Sequence, residues 1–141
     1  MTVEIRRVGS ADAHLLGQVA EDVFDGPIDP VRLAAYLGGA GHLMVVALQD
    51  GRVVGQGRAI VHRHPDAPNE LYVDNLGVAP ALFRQGVGRR IMDALFAWGR
   101  ELGCESGWVA TETDNAPAIG LYTRLGADGQ GMMFFEYEAL P

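Results

Sequence analysis

A glycine-rich turn joins an apolar, strand-like run over Leu71–Val78 to a helical pattern that begins near Val87. The turn reads Phe83-Arg84-Gln85-Gly86-Val87-Gly88-Arg89-Arg90. The first N–H groups of a helix have no partner inside the helix, and the helix dipole is positive at this end. Glycine lets the backbone approach an anion closely, and the three arginines add positive charge. The turn therefore predicts a site for phosphate oxygens, with a pyrophosphate as the expected anion.

Two well-known phosphate-binding loops do not fit this turn. A nucleotide P-loop requires a lysine and a hydroxyl residue after its last glycine, and neither follows Gly88. A dinucleotide fingerprint requires Gly-x-Gly-x-x-Gly near the start of a βαβ unit, which is not the arrangement here. Taken alone, the turn is also compatible with an ordinary tight turn before an amphipathic helix.

Strand and helix patterns alternate along the 141 residues, which is the length of one domain. The predicted strands are Thr2–Val8, His42–Gln49, Arg52–His62, Glu70–Val78, Gly107–Glu112 and Met132–Glu138, and the predicted helices are Ser10–Phe24, Pro30–Gly38, Val87–Leu102 and Ala116–Leu125. Ser10 and Asp29 are the expected helix caps, and Asp50-Gly51 is a strong hairpin signal. The resulting order, β-α-α-β-β-β-α-β-α-β, predicts a single α/β domain over residues 1–141.

Composition limits the partners and the compartment. A net charge of -7 argues against nucleic acid and is compatible with a cationic partner. Hydrophobic residues make up 48% of the chain, but no apolar run is long enough to span a membrane. A single cysteine, Cys104, excludes an internal disulfide and favours a reducing compartment, so we expect a cytoplasmic protein.

A second motif, Asn115-Ala116-Pro117-Ala118 followed by Leu121-Tyr122, lies about thirty residues after the turn. In this order the two motifs resemble the GNAT superfamily of acetyl-CoA-dependent N-acetyltransferases. In that family a Gln/Arg-x-x-Gly-x-Gly/Ala loop binds the CoA pyrophosphate, and an Asn-x-x-Ala-x-x-x-Tyr helix lies against the pantetheine arm. The resemblance implies a mixed sheet with helices on both faces and splayed central strands. It also implies acetyl-CoA as the cofactor, with contacts at Leu76, Gly77, Val78, Arg84, Gln85, Gly86, Val87, Gly88, Arg89, Asn115, Ala118 and Tyr122.

The chain departs from the family's loop at one position. Phe83 stands where the family has its Gln or Arg, three residues before Gly86. We therefore assign the anion to backbone N–H groups from Arg84 to Gly88, helped by the side chains of Arg84 and Arg89. Glycine is unfavourable inside a strand, so Gly77 predicts a close backbone approach at this position.

Acetyl transfer also needs an acid for the departing thiolate and a base for the amine. Tyr122 is the expected acid, because a phenol suits protonation of a thiolate; its alternative is packing on the sheet. Asn115 is a cofactor contact, a helix cap, or both. Alternation puts Tyr72, Asp74 and Leu76 on one face of their strand.

Asp74 is the expected base and acceptor contact, since a carboxylate in an apolar strand is costly unless it is paired or functional. The alternative for Asp74 is a strand-end acid paired with an arginine. Tyr72, Glu112 and Asp114 are further candidates for binding a cationic amine.

Several segments bear a closer resemblance to the type I aminoglycoside 3-N-acetyltransferases: Val23–Asp25, Glu70–Val78, Gly120–Gly126 and Met133–Glu136. That group tends to carry a carboxylate at the position of Asn75, whereas here the acid lies one residue earlier. The resemblance implies acetylation of an aminoglycoside amine, and relatives often form homodimers through their C-terminal strands. The alternatives are an acetyltransferase for a protein N-terminus, lysine or polyamine, and a CoA-binding sensor without catalysis.

No metal site is expected. His62 and His64 are only two residues apart, but no third ligand follows in the loop, so both are predicted to be exposed to solvent.

Overall fold

The computed structural model describes residues 2–141, which form two compact units, residues 2–110 and residues 111–141. The first unit holds a five-stranded sheet, whose strands are β1 (Glu4–Arg7), β2 (His42–Gln49), β3 (Arg52–His62), β4 (Asn69–Val78) and β5 (Cys104–Val109). The strands lie in the order β1-β2-β3-β4-β5. The first four are antiparallel and β5 runs parallel to β4, which confirms the predicted mixed sheet.

The hairpin between β2 and β3 has the predicted bounds. Its turn residues Asp50 and Gly51 have φ values of 52° and 75°. Positive φ at both central residues is the turn geometry whose twist matches two antiparallel strands. Six consecutive residues of β2 are buried, so this strand runs through the core.

Helices cover both faces of the sheet in the first unit, as predicted. The helix α1 (Pro30–Gly38) begins where the Asp29 carboxylate accepts hydrogen bonds from the N–H groups of Val31 and Arg32, at 2.9 and 3.0 Å. The helix α2 (Val87–Glu101) lies on the other face and buries Ile91, Met92 and Leu95. Burial of this stripe is the main hydrophobic contribution that α2 makes to the fold.

The predicted helix Ser10–Phe24 is wrong. Only Ser10–Gly17 is helical, as a 3-10 helix. Beyond it the chain pairs with the sheet: the N–H of Val53 donates to the carbonyl of Gln18, and the N–H of Ala20 donates to the carbonyl of Val53. These bonds form an isolated parallel bridge that replaces the second half of the helix. The apolar spacing that predicted a helix instead reflects burial of Val23 and Ala20 under the sheet.

The strand β5 begins three residues earlier than predicted. Gly103, with a φ of 85°, turns the chain directly after α2, and Cys104 starts the strand with its side chain buried. An unpredicted 3-10 turn, Pro80–Leu82, lies between β4 and the glycine-rich turn.

The second unit contains one helix, α3 (Ala116–Arg124). The predicted strand Met132–Glu138 is wrong, because no helix or strand follows α3 within residues 2–141. A strand needs a neighbour for its backbone hydrogen bonds, and this segment has none there. Its large apolar side chains are exposed, Phe134 by 81% and Phe135 by 80%.

Among residues 2–141, no helix is both long and apolar enough to cross a bilayer.

Candidate functional site

The strand β4 has two halves with different neighbours. Residues Asn69–Val73 pair with β3 on one side and with β5 on the other. Over Asp74–Val78 the pairing with β5 has ended, so in the described part of the chain this half pairs with β3 alone. Backbone groups on its open edge are therefore free to bind another molecule, as the predicted splay of the central strands requires.

A β-bulge at Asp74 separates the two halves. Arg58 pairs with Asn75 and Ala59 with Val73, which leaves Asp74 as the extra residue. The bulge shifts the alternation of side chains. A Cβ placed on Gly57 would touch Leu76 together with Ile91 and Leu95, so Leu76 faces α2.

This corrects two predictions for β4. Leu76 does not share a face with Tyr72, because the bulge reverses the alternation between them. Asp74 is exposed rather than buried, so the cost of burying a carboxylate does not apply to it.

Gly77 is closely approached by another segment of the protein's own backbone, at Val23. A Cβ at this position would overlap the carbonyl oxygen of Val23. The side chain of Gln56 joins the same two segments: its amide nitrogen donates to the Val23 carbonyl at 3.1 Å and to Asn75 Oδ1 at 2.6 Å. Gln56 is fully buried. Glycine at 77 is thus explained by packing, and this network holds the open half of β4 in place.

The glycine-rich turn has the form of an anion site. Gly86 has a φ of 76° and precedes the first residue of α2, and Arg84 also has a positive φ, 63°. Among residues 2–141, no acceptor is paired with the backbone N–H groups of Arg84 through Arg89; the next one, that of Arg90, donates to the Gly86 carbonyl. These free donors at a helix N-terminus fit the phosphates of a CoA-type ligand.

The side chains around the turn divide into occupied and free groups. Gln85 donates back to the Ala81 carbonyl at 3.2 Å, so only its backbone is available. Arg90 donates to the Val3 carbonyl at 3.0 Å. Arg84 and Arg89 are exposed and form no ion pair with any described residue. The two arginines assigned to the anion are therefore the two of the three whose guanidinium groups form neither a hydrogen bond nor an ion pair with a described residue.

The glycine-rich turn adjoins the open half of β4. A Cβ on Gly55 would lie 3.3 Å from Val87, the first residue of α2. Gly55 is in turn the β3 partner of Val78, the last residue of β4. The strand edge and the helix start are therefore neighbours, as one extended ligand would require.

A groove of about 370 Å³ lies on the face of the sheet opposite α2. Its lining includes Phe24, Asp25, Asp29, Tyr36 and Arg58. Burial raises the pKa of the Tyr36 phenol, the charge of Asp74 raises it further, and Arg58 opposes both. The charge of Asp74 thus acts on a residue that lines the groove, although Asp74 is not itself a lining residue.

The polar lining of the groove includes residues that sequence reasoning missed. Tyr36 donates a hydrogen bond to the Leu43 carbonyl at 2.6 Å, and the guanidinium of Arg58 lies 5.7 Å from the Phe24 ring. The sequence pattern that could have indicated a polar surface on this face of β3 is the pair Gln56 and Arg58, two polar residues at alternate positions of an apolar strand.

Tyr72 packs against an aromatic side chain of the neighbouring strand. Its ring stacks on that of Trp108, its partner across β4 and β5, with centroids 4.1 Å apart. Trp108 therefore covers one face of the Tyr72 ring, and an acceptor contact at Tyr72 stays a prediction.

The remaining predicted residues belong to the second unit. Tyr122 is half-buried, and burial raises the pKa of its phenol. Asn115 caps α3: its Oδ1 accepts from the N–H of Ala118 at 3.3 Å, and its Nδ2 donates to Thr111 at 3.1 Å. The cap interpretation is confirmed, and a cofactor contact at Asn115 stays a prediction. Glu112 and Asp114 are exposed and lie before this helix.

Comparison with known proteins gives one family and one fold. A profile of the acetyltransferase (GNAT) family matches residues 15–127. A mycothiol acetyltransferase of Pseudarthrobacter chlorophenolicus is 35% identical over 117 residues, which is 81% of this chain and 31% of the relative. The chain thus spans about a third of the length of that relative.

Two solved structures share the fold over 99% of this chain and all of theirs. An aminoglycoside acetyltransferase from an uncultured soil metagenomic sample has a TM-score of 0.82 at 22% identity. The enzyme AAC(6')-Iy, in complex with a bisubstrate analog, has a TM-score of 0.79 at 19% identity. At these identities the likeness shows the fold alone.

Substitution of Gly86 by valine tests the anion site. A side chain there would crowd the donors, so we expect Gly86→Val to weaken acetyl-CoA binding by roughly 10–100-fold, the loss of one charge-assisted hydrogen bond. Gly51→Val is the matched control, because Gly51 has nearly the same φ and equally open surroundings but lies in the β2–β3 turn. Calorimetric titration of both variants gives the two affinities. Equal affinities would contradict the assignment.

Proposed function

The chain belongs to the acetyltransferase (GNAT) family, and we propose that residues 1–141 act as one domain that transfers the acetyl group of acetyl-CoA to the amine of a small cationic acceptor. The observation that carries this proposal is the juxtaposition of two free sets of backbone donors. One set lies at the start of α2, and the other lies along the open half of β4. The first fits a pyrophosphate, and the second fits the acetyl carbonyl.

Each part of the chain has a proposed role in the transfer. Backbone N–H groups among Leu76, Gly77 and Val78 donate to the acetyl carbonyl oxygen, where negative charge develops as the amine attacks. Residues 84–89 bind the pyrophosphate through the backbone and through Arg84 and Arg89. Asn115 and Ala118 contact the pantetheine arm. Tyr122 protonates the sulfur as the carbon–sulfur bond breaks.

The acceptor is proposed to bind in the groove beside Asp74. The groove is lined by two acids, Asp25 and Asp29, and two bases, Arg32 and Arg58, so the charge of Asp74 is the negative excess that would favour a cation. Asp74, directly or through water, accepts the proton of the attacking amine, and Glu112 and Asp114 are further acidic groups for a polycation. The phenol of Tyr36 lines the groove as a neutral hydrogen-bonding group.

The leading acceptor is an aminoglycoside. The sequence resemblance favours its 3-N amine, whereas one enzyme with the same fold is a 6'-type acetyltransferase by name. A second candidate is the reaction for which the curated relative is named, mycothiol acetylation, favoured by 35% identity. A protein N-terminus, a lysine or a polyamine would use the same chemistry, and a CoA-binding sensor would use none.

Release of free thiol from acetyl-CoA, measured against a panel of aminoglycosides, polyamines and peptides, tests the function. We expect turnover with at least one aminoglycoside, and NMR of its product identifies the acetylated nitrogen. Binding of acetyl-CoA without thiol release for any amine would favour the sensor. Fractionation of cells that produce the protein tests the proposed cytoplasmic location.

Removal of the Tyr122 hydroxyl tests the proposed acid. Burial raises the pKa of this phenol above its ordinary value near 10, so it keeps its proton throughout the neutral range. Tyr122→Phe should lower kcat by roughly 10–10³-fold and leave acetyl-CoA affinity nearly unchanged. Single-turnover kinetics separate the chemical step from product release. An unchanged single-turnover rate would return Tyr122 to a packing role.

Neutralising Asp74 tests acceptor recognition. Asp74→Asn keeps the shape and removes the charge, so kcat/KM for a polycationic acceptor should fall by roughly 10–100-fold. The loss should shrink as pH rises, because more of the amine is then already neutral. Asp66→Asn removes an exposed carboxylate from the β3–β4 loop and serves as the matched control. If Asp74→Asn keeps the wild-type pH profile, the base lies elsewhere.

We also propose that the chain forms a homodimer through the exposed segment Met132–Tyr137, which meets the same segment of a second copy. A two-fold interface brings one surface patch against itself, and an exposed segment in which five of six residues are large and apolar suits such a contact. Sedimentation equilibrium should show a dimer that Phe134→Ser with Phe135→Ser dissociates. Val31→Ser removes an equally exposed apolar side chain from α1 and should leave the dimer intact. A monomeric wild type would contradict this proposal.

A further inference from the structure

Two histidines and a glutamate meet where the β3–β4 hairpin turns, at the opposite end of β4 from the anion site. His62 is the last residue of β3, and Glu70 faces it directly across the antiparallel ladder. His64 lies in the loop, and its ring centroid is 4.2 Å from that of His62. One ligand atom from each of the three residues lies within 4.8 Å of the other two.

The third ligand, Glu70, was missed in the sequence because it is brought to His62 by strand pairing and not by closeness along the chain. His62 and Glu70 are eight positions apart in the chain, but the register of the hairpin makes them neighbours. The expectation that the two histidines have no third ligand nearby is therefore wrong. His62 is exposed as expected, whereas His64 and Glu70 are only partly exposed.

An ion pair between His64 and Glu70 accounts for only two of the three residues of this cluster. His64 Nε2 and Glu70 Oε1 are 3.7 Å apart, which is longer than a hydrogen bond. The Ser106 hydroxyl, on the partner of Glu70 in β5, lies 3.5 Å from the other carboxylate oxygen. At this length the contact is at most a weak hydrogen bond, and it leaves Oε1 as the carboxylate oxygen nearer to His64.

We infer that His62, His64 and Glu70 bind a divalent transition-metal ion of the zinc class. Two imidazole nitrogens and one carboxylate oxygen are a common zinc ligand set, at about 2.0–2.2 Å from the ion. Around one tetrahedral ion these atoms would be about 3.3–3.6 Å apart, so small side-chain rotations close the site. Three protein ligands leave the fourth position to water, and the exposure of His62 admits it.

The ion's role is to brace the hairpin rather than to take part in acetyl transfer. It would connect the end of β3, the loop and the start of β4 through side chains alone. The open half of β4 begins at Asp74, and Leu76 lies six residues from Glu70, a separation of about 20 Å along a strand. An ion at the hairpin end therefore stabilises the strand that carries the acyl-binding edge without reaching the reacting atoms.

Zinc titration of untagged, chelator-treated protein tests the inference. Calorimetry should give one equivalent of Zn²⁺ bound, and Co²⁺ should give the intense visible absorption of a four-coordinate site. Zinc should also raise Tm. Glu70→Gln keeps the shape of the side chain and should weaken zinc binding at least about tenfold, the low end of the loss seen when only a supporting partner is removed.

The control is His14→Gln, which removes an exposed histidine from the 3-10 helix outside the cluster and should bind zinc like the wild type. Far-ultraviolet circular dichroism confirms that each variant is folded before titration. Three results would overturn the inference: no heat or spectral change for the wild type, unchanged affinity in Glu70→Gln, or an equal loss in His14→Gln. The wild-type titration alone decides the question if Glu70→Gln does not fold.

Discussion

The ladder between β3 and β4 is the constraint on which the rest of the first unit depends. At one end it pairs His62 with Glu70, and at the other it pairs Gly55 with Val78 beside the start of α2. In the middle, the bulge at Asp74 changes the face of every later side chain. The half of β4 that pairs with strands on both sides, residues 69–73, is held rigidly. The half that pairs with β3 alone, residues 74–78, offers free backbone groups. One strand thus supplies both the support and the binding edge.

The parts of the fold that local chemistry determines could be predicted. The β2–β3 hairpin follows from Asp50-Gly51, since few residues other than glycine, asparagine and aspartate adopt positive φ. The cap at Asp29 follows from its side chain and the proline after it. The predicted helix to Phe24 failed because residues 18–20 bond to Val53, which is distant in sequence. The last strand failed because strands depend on a neighbour, and apolar spacing does not show whether one is present.

The features of the candidate site likewise separate into those that local sequence determines and those that depend on distant segments. The backbone donors at Gly86 were predictable, because they arise from a turn and a helix start that are local in sequence. The bulge at Asp74 was not, because a shift of register belongs to two strands together. The role of Gln56 was hidden for a related reason: its partners Val23 and Asn75 come from two other segments. The close approach expected at Gly77 is confirmed, and it is made by Val23, a residue that its sequence position could not identify.

The central claim is that one acetyl-CoA molecule occupies both the start of α2 and the open half of β4. Amide hydrogen exchange, with and without acetyl-CoA, measures this directly at the two sets of backbone donors. We expect exchange to slow at residues 74–78 and at residues 84–89 together, while the turn at Asp50-Gly51 exchanges at the same rate in both states. Acetyl-CoA that binds by calorimetry but protects neither segment, or only one of them, would contradict the account.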